Sequence, residues 1–556
     1  MSKPAMTRNV STARLAVAAA HAEAALAVHA PGLVDAYTAA LPVAADIVGR
    51  RLRGALVRED IGDARAGHAG AGRAHAFDRV EFDTAGAADP VDLLTGLHAP
   101  GFAAELRNAV VNLAIALARP PVVPDDRDPD TAAIAAERLA VAGHNLHPCG
   151  RTRLGWDTTD VLAHDLEAGA TRIGFLAVRD DQHLGDDVGA ALMAAYPHLP
   201  APPPGYRLQP VHAWQRDTIL PNRYGDLLRA GALRILDAEL DAVPTAALRT
   251  LLLPAGADGR RRYAKVSLDI QVTSTRRSIS VASTRNAQAV STLLHRLIAD
   301  DPDGHRILLL AETAGAAVPA GSGRDMSAIL RDSLHHLDGS GESAVPGGAL
   351  PAIDPATGRT VLAGLVTAYA QSRHRRDDAG AAHAWLDDYS RMLLPPLLRL
   401  TVHGVALEAH LQNCLPTFVG GVPRRLTVRD FAGLRVHRGR LAAGRHTLDL
   451  WPGSVIGTGD DDLLRAKIGY TALQAHLGEL VIRLGESHGL DEAAAWRTVR
   501  AVVDETYRDL GAHPAARADH AAFTAPLVPH KALVRMRLTG GGDTYLPVRN
   551  PLHAPA

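Results

Sequence analysis

Apolar periodicity changes twice along this chain, and those two changes do most to limit how it can fold. Through the first fifty residues, Leu15, Val17, Ala22, Ala25 and Leu26 recur at helical spacing. Helical pattern returns over about 90–118 and again in TAAIAAERLAVAGH (131–144). Strand-like pieces and a Gly/Ala-rich turn, HAGAGRAHA, fill 54–80, and VVPDDRDPD is an acidic linker. After the connector PHLPAPPPG (197–205), short strand-like runs take over from 206 to about 335. AKVSLDIQV (264–272) alternates, and RILLLAE (306–312) is a continuous apolar run suited to a buried strand. A Gly/Pro-rich loop (339–358) follows, and helical spacing resumes over about 381–394, 396–412, 461–485 and 490–510. Pro395 and Pro396 are expected to separate the first two of these. The pattern predicts an α+β chain of three units: α-rich 1–200, β-rich 206–340 and helical 360–556. At 556 residues, a division into several units is also what core size demands.

The charge balance narrows the class of partner. There are 59 basic and 60 acidic residues, and neither nucleic acid nor an anionic membrane is expected without a basic excess. Two cysteines, Cys149 and Cys414, exclude a disulfide scaffold and a cysteine-rich zinc site. No run of eighteen apolar residues predicts a spanning helix. The alanine-rich start, broken by Arg14, His21 and Glu23, reads as an amphipathic helix rather than a signal peptide, so a cytoplasmic address is expected. The only lysines are Lys3, Lys265, Lys467 and Lys531. In a chain that otherwise carries arginine, the internal lysines mark places where a compact ammonium is needed.

No GxxxxGK[ST] loop, HExxH, GxSxG or strand-borne GxGxxG occurs, so any nucleotide must be held by side chains. Four clusters offer such side chains. GHNLHPCGRTRLG (143–155) concentrates His144, His147, Arg151 and Arg153, donors suited to phosphate oxygens. PVHAWQ (210–215) predicts a turn in which Trp214 serves as a structural anchor. In KVSLDIQVTSTRR (265–277), which follows Arg249 and Thr250, a regular strand would align Lys265, Asp269, Gln271, Thr273, Thr275 and Arg277 on one polar face. Val266, Leu268, Ile270 and Val272 would then enter the core. LEAHLQN (407–413) reads as a helix with Glu408 and Gln412 on one face and His410 and Asn413 on another. Glu408 with the downstream Asp430 could supply two oxygen ligands for Mg²⁺.

In this order, the clusters resemble the IucA/IucC family, the siderophore synthetases independent of nonribosomal peptide synthetases. GHNLHP with Arg151 and Arg153 is similar to that family's first motif, PVHAWQ to its second, and ALRT (247–250) to its SxRT. Lys265 with Thr273, Ser274 and Arg277, then GVALEAHLQN, RRLTVRD, HKALVRMRL and RNPL (549–552), complete the likeness over about 140–552. Asn145, Arg151, Ala213 and Ala247 depart from the family pattern; Ala247 replaces a serine hydroxyl.

The resemblance implies a hand-shaped cleft and an ATP-dependent ligase. It would adenylate a carboxylic acid, with citrate favoured, and join it to an amine or hydroxyl. It implies ATP binding by His144, His147, Arg151, Arg153, Arg249, Thr250, Lys265 and Arg277. Substrate would meet Thr273, Arg277, His410, Gln412 and Asn413, with catalysis resting on Arg277, His410 and Thr273. Mg²⁺ would sit at Glu408 and Asp430, and the protein would be a homodimer acting on small molecules. A synthetase working on a citryl or succinyl monoamide is one alternative; a non-catalytic iron-binding protein, suggested by the 27 histidines, is another.

Overall fold

The computed structural model describes residues 14–62, 72–94, 96–120, 128–273, 275–511 and 513–553. Lys3, Ser274, the first half of HAGAGRAHA and most of the 122–130 linker lie outside the described residues.

The N-terminal unit is helical, as its periodicity predicts. Leu15–His29, Val34–Arg58 and Pro100–Ala118 pack through Leu26, Leu52, Leu56, Leu106, Val110 and Leu113. Two stretches, Pro31–Arg58 and Pro100–Ala118, are long and apolar enough to cross a membrane by length and composition alone. Both instead contribute side chains to this core. The core also takes in Trp156, Trp214, Leu268, Ile270 and Val272, so it reaches under the motif segments. Trp214 meets Trp156 edge-on, with centroids 6.1 Å apart. That is the anchoring role expected of PVHAWQ.

The middle is one eight-stranded antiparallel sheet. Its strands in chain order are β1 (Thr171–Arg179), β2 (Leu184–Gly185), β3 (Tyr206–His212), β4 (Leu233–Pro244), β5 (Thr250–Leu252), β6 (Tyr263–Val266), β7 (Glu312–Ala317) and β8 (Ser327–Arg331). They lie side by side as β2-β7-β8-β6-β5-β4-β1-β3. The sheet therefore draws strands from both sides of the expected boundary near residue 200. It also carries the 19-residue helix Val281–Ala299, capped by Ser280, where the sequence suggested strands. An amphipathic helix of that length covers the apolar face of a sheet that one-sided strands leave open.

The polar face expected along 265–277 does not form. The strand β6 ends at Val266, and a second short pairing, Gln271–Val272 with Thr275–Arg276, folds the chain back. Arg277 N–H then donates to Ile270 O at 2.9 Å, and Leu268 N–H to Arg277 O at 3.2 Å. Val266, Leu268, Ile270 and Val272 are buried as predicted, but so are Lys265, Ser267 and Asp269. Asp269 turns away from the cleft to pair with Arg223 and Arg276.

The C-terminal unit holds the largest core, built around Trp385, Tyr389, Leu393, Leu397, Leu426, Leu480 and Trp496. Helix Asp378–Val402 runs unbroken through Pro395 and Pro396. A proline deprives the carbonyl four residues earlier of its donor. For Pro395 that carbonyl, Arg391 O, accepts from Arg306 Nη1 at 3.0 Å, which offsets part of the penalty. The chain then leaves the helix: Val405–Ala406 is a strand, 407–413 is a turn, and Cys414–Val419 is a strand again. LEAHLQN is thus a turn and not the helix its spacing suggested.

Candidate active site

Three backbone positions signal where the motifs meet. Leu248, Thr273 and Asp430 are left-handed, with φ of 62°, 54° and 65°. Non-glycine residues held there cost about 1–3 kcal/mol each and persist only under strong constraint from their surroundings. Each lies in a segment singled out from the sequence.

Thr250 on β5 faces Lys265 on β6 in register. Lys265 is fully buried, and its Nζ donates to Asp430 Oδ1 at 2.7 Å while lying 3.8 Å from Glu312 Oε1. Arg331 donates to Glu312 Oε1 at 3.0 Å and stands 3.9 Å from Asp430 Oδ2. Burial alone would raise the Asp430 carboxyl; the charges of Lys265, Arg331 and Arg249 reverse this and hold it far below the usual carboxylate range. Glu312 and Arg331, absent from the sequence-based set, belong to this centre. Nothing in their local sequence marks them, because β7 and β8 carry them to Lys265 from more than forty residues away.

Arg249 donates to Ser278 O at 2.8 Å, which ties the ALRT loop to the segment just after Arg277. Arg277 has no carboxylate at ion-pair distance among the described residues, and its Nε is buried without a partner. Burial, with the neighbouring cations Arg249 and Arg153, pushes its pKa down to about 9. A guanidinium otherwise charged at every accessible pH is here short of negative charge.

GHNLHPCGRTRLG splits into two roles. His147 Nδ1 accepts from Cys149 N–H at 3.0 Å, so the ring proton sits on Nε2, which is buried and unpartnered. Burial, then the charges of Arg537, Arg51 and Arg277, lowers its pKa to about 3, leaving a neutral donor. His144 Nδ1 likewise accepts from Leu146 and His147 N–H, and its ring centroid lies 6.5 Å from that of His410. Arg151 and Arg153, by contrast, are spent on acids. Arg153 grips Asp165 with two bonds of 2.9 and 3.1 Å, and Arg151 pairs with Glu167. Arg429 of the RD pair is likewise taken by Glu137.

The LEAHLQN turn forms the opposite wall. Gln412 Nε2 donates to Ala246 O at 3.3 Å, Asn413 Nδ2 to Glu408 O at 3.1 Å, and Arg429 N–H to Asn413 O at 3.0 Å. The Gln412 side chain joins the turn to Ala246, just before the ALRT loop, and the Asn413 carbonyl joins it to Arg429, the neighbour of Asp430. Thr273 is bound to its own turn, donating to Val272 O at 2.6 Å. Lys467 Nζ donates to Glu408 Oε1 at 2.8 Å. Burial would raise the Glu408 carboxyl, but Lys467, His410 and Lys531 outweigh it and draw its pKa down to about 2. His410 feels both Glu408 and Asp430, and so does Arg277. All three internal lysines thus border the cleft, each on a carboxylate: Lys265 on Asp430, Lys467 on Glu408, Lys531 on Asp543.

Among the described residues, no group of three or more His, Cys, Asp and Glu is gathered around a metal position. Glu408 and Asp430 suit a hard cation in another way. Both are ionised, and each has one oxygen on a lysine and a second oxygen left over, the one or two carboxylates that Mg²⁺ takes alongside phosphate oxygens.

Residues 132–352 match the model of the IucA / IucC family. That segment, less than half of the chain, carries its likeness to the IucA/IucC family. Residues 383–546 match a second model, described as ferric iron reductase FhuF-like transporter; the one cysteine there, Cys414, is buried. The D-ornithine–citrate ligase of Staphylococcus aureus is 23% identical over 464 residues, 76% of this chain and 70% of that protein. A citryl-spermidine/3,4-dihydroxybenzoyl-citryl-spermidine:spermidine ligase of Bacillus anthracis is 28% identical over 54% of this chain and 52% of its own length. The fold matches petrobactin biosynthesis protein AsbB of Bacillus anthracis with a TM-score of 0.78 at 19% identity, covering 93% of this chain and 96% of that one. It matches ATP-bound aerobactin synthetase IucA of Klebsiella pneumoniae with a TM-score of 0.65 at 22% identity, covering 81% and 82%.

Proposed function

We propose that the protein is an AMP-forming ligase of siderophore assembly, which activates a carboxylic acid, citrate foremost, with ATP and passes it to an amine or hydroxyl. One observation carries this reading: unpartnered donors converge at a centre with excess positive charge. Arg277 Nε and Thr250 Oγ1 are buried without hydrogen-bond partners beside Arg249 and Lys265, and His147 Nε2, likewise unpartnered, lies in the field of Arg277. Buried donors left unpaired cost about 1–3 kcal/mol each, and a polyphosphate would satisfy them together. Two relatives that are ligases, and a structural neighbour with ATP bound, support the same class.

In this reading a substrate carboxylate oxygen bonds to the α-phosphorus of ATP and pyrophosphate leaves. The amine nitrogen then attacks the acyl carbon, AMP leaves with the bonding pair, and the amine loses a proton. Lys265, Arg249 and Arg277 offset charge that grows on the phosphorus oxygens. His147 donates through Nε2 as a neutral group, so it adds a hydrogen bond without altering the net charge. Arg277, between the phosphate side and the Glu408–His410 wall, orients both reactants. Glu408 and Asp430 would hold Mg²⁺, which would supply charge neutralisation for the phosphates. The use of ATP fits a cytoplasmic enzyme.

The test is isotope exchange between pyrophosphate and ATP with a panel of acids, followed by trapping with hydroxylamine. Citrate-dependent exchange and a hydroxamate are expected. Exchange with no acid in the panel, at any magnesium concentration, overturns the reading.

A further inference from the structure

On the outer face of the helix Val281–Ala299, four charged side chains line one cavity without pairing. The cavity holds about 350 Å³, and its polar walls are Asp186, Arg285, Gln288, Thr292, Arg296 and Asp449. Sites for small molecules commonly span about 300–1,000 Å³. With 3.6 residues per turn, Arg285, Gln288, Thr292 and Arg296 form one stripe along the helix. Ser291 falls outside that stripe and turns toward the sheet, where its Oγ accepts from Glu312 N–H at 2.9 Å. Glu312 belongs to the Lys265 centre, so the helix stands between that centre and the cavity.

Two of the four charges are positive and two are negative. Among the described residues, none of them has an opposite charge within ion-pair distance. Two are fastened where they stand. Asp186 Oδ2 accepts from Gly315 N–H at 2.8 Å, and the Arg285 guanidinium rests over the Trp451 ring, 5.1 Å from its centroid. Asn286 holds that loop to the helix, accepting from Trp451 N–H at 2.8 Å and donating to Ser454 Oγ at 2.9 Å. Arg285 Nε is buried and has no partner. Gly315 lies so close to Thr284 that a Cβ on it would collide with the Thr284 carbonyl, which sets Asp186 at the Arg285 end of the cavity.

This charge pattern selects a ligand class. A pure anion would be repelled by Asp186 and Asp449, and a pure cation by Arg285 and Arg296. A zwitterion satisfies both signs: its carboxylate accepts from the Arg285 fork, and its ammonium donates to Asp186. Gln288 and Thr292 add neutral donors and acceptors for a polar side chain beyond that head group. We propose that this cavity binds a free α-amino acid, at a site separate from the cleft. The bound amino acid bridges the middle sheet, through Asp186, and the C-terminal unit, through Asp449. The proposal is independent of the adenylation chemistry.

Calorimetry of the full chain tests it, with L-glutamine, L-glutamate and L-lysine as titrants and with succinate and putrescine as controls of a single charge sign. At least one amino acid should bind with a Kd below about 1 mM. Arg285→Met removes the partner of the carboxylate, and Asp186→Asn removes the charge that meets the ammonium. Each should weaken that amino acid about tenfold or more. The asparagine keeps an oxygen for Gly315 N–H, so D186N should melt with the parent, and it decides the matter if R285M does not fold. Arg277→Ala, in the cleft, should leave the affinity unchanged. Absence of amino-acid binding up to about 10 mM overturns the proposal. So does binding that is lost in R277A and kept in D186N, which would place the amino acid in the cleft. Succinate or putrescine binding as tightly as the amino acids, with the same response to R285M and D186N, overturns the zwitterion assignment.

Discussion

Two clusters of buried charge lie a short distance apart in this protein, and they balance their charges differently. Around GHNLHPCGRTRLG, Arg151 and Arg153 face Asp165 and Glu167, two cations against two anions, joined by direct bonds. Around Lys265, five cations (Lys265, Arg249, Arg331, Arg277 and Lys467) face three anions, Asp430, Glu312 and Glu408. The first cluster closes on itself and fixes the turn that presents His144 and His147. The second keeps an unmet demand for negative charge. Arginine content alone cannot tell these apart; the number of acids brought to each by the fold can.

The sharpest way to break the comparison is to delete one arginine from each cluster. Arg277→Ala should lower pyrophosphate exchange by about a thousandfold, roughly 4 kcal/mol of transition-state stabilisation. Its melting temperature should hold or rise, because an under-compensated cation is lost. Arg153→Ala should do the opposite, since it leaves Asp165 buried without its bidentate partner. A stability loss of about 3–5 kcal/mol is expected, read as a lower urea midpoint. Equal effects of the two changes on stability would dissolve the distinction.

Gly433→Ala addresses the wall across the cleft. A Cβ at residue 433 would meet Glu408 Oε2 at 1.8 Å, so the carboxylate must swing aside. Turnover should fall about tenfold, about 1.4 kcal/mol, with a higher magnesium requirement and an unchanged fold. A variant with parental magnesium dependence would show that this carboxylate is not where the metal acts.

The buried histidines give a pH test. His147 and His212 are lowered to about 3 and His476 to about 4, in each case first by burial. With folded values below the unfolded 6.5, protonation favours the unfolded chain. Stability is therefore complete above about pH 6.5 and declines as pH falls toward 4 and 3. Each such histidine contributes a slope of about 1.4 kcal/mol per pH unit in that window. Flat melting temperatures between pH 7 and 5 would contradict the neutral-donor assignment. The smallest effect should come from Ala247→Ser, which adds one neutral hydroxyl worth about 1 kcal/mol; a KM for ATP lowered up to fivefold is expected.

Much of this was legible before the structure. The order of helical, strand-rich and helical units was visible in the spacing, as were the motif segments and the unusual value of the lysines. What failed was local geometry wherever a long-range partner decided it. Pro395 and Pro396 read as a break because Arg306, which takes up the orphaned Arg391 carbonyl, lies far away in sequence. LEAHLQN read as a helix because its polar spacing fits one, yet Gln412 and Asn413 spend their amides on Ala246 and Glu408 to hold a turn. Arg151 and Arg153 read as free phosphate donors because Asp165 and Glu167 come from a different element. Glu312 and Arg331 carried no signal at all.

Among the described residues the sheet beneath the cleft is antiparallel throughout, so no strand-to-helix crossover within it would aim a row of amides at the proposed nucleotide. An amide grip is common to all residues and survives most substitutions; the proposed grip of Lys265, Arg249 and Arg277 would be spelled out in individual codons. If the proposed reading holds, relatives could retune or abandon adenylation one side chain at a time while the scaffold stays whole, and a silent member of such a lineage would keep its shape and lose only its cations.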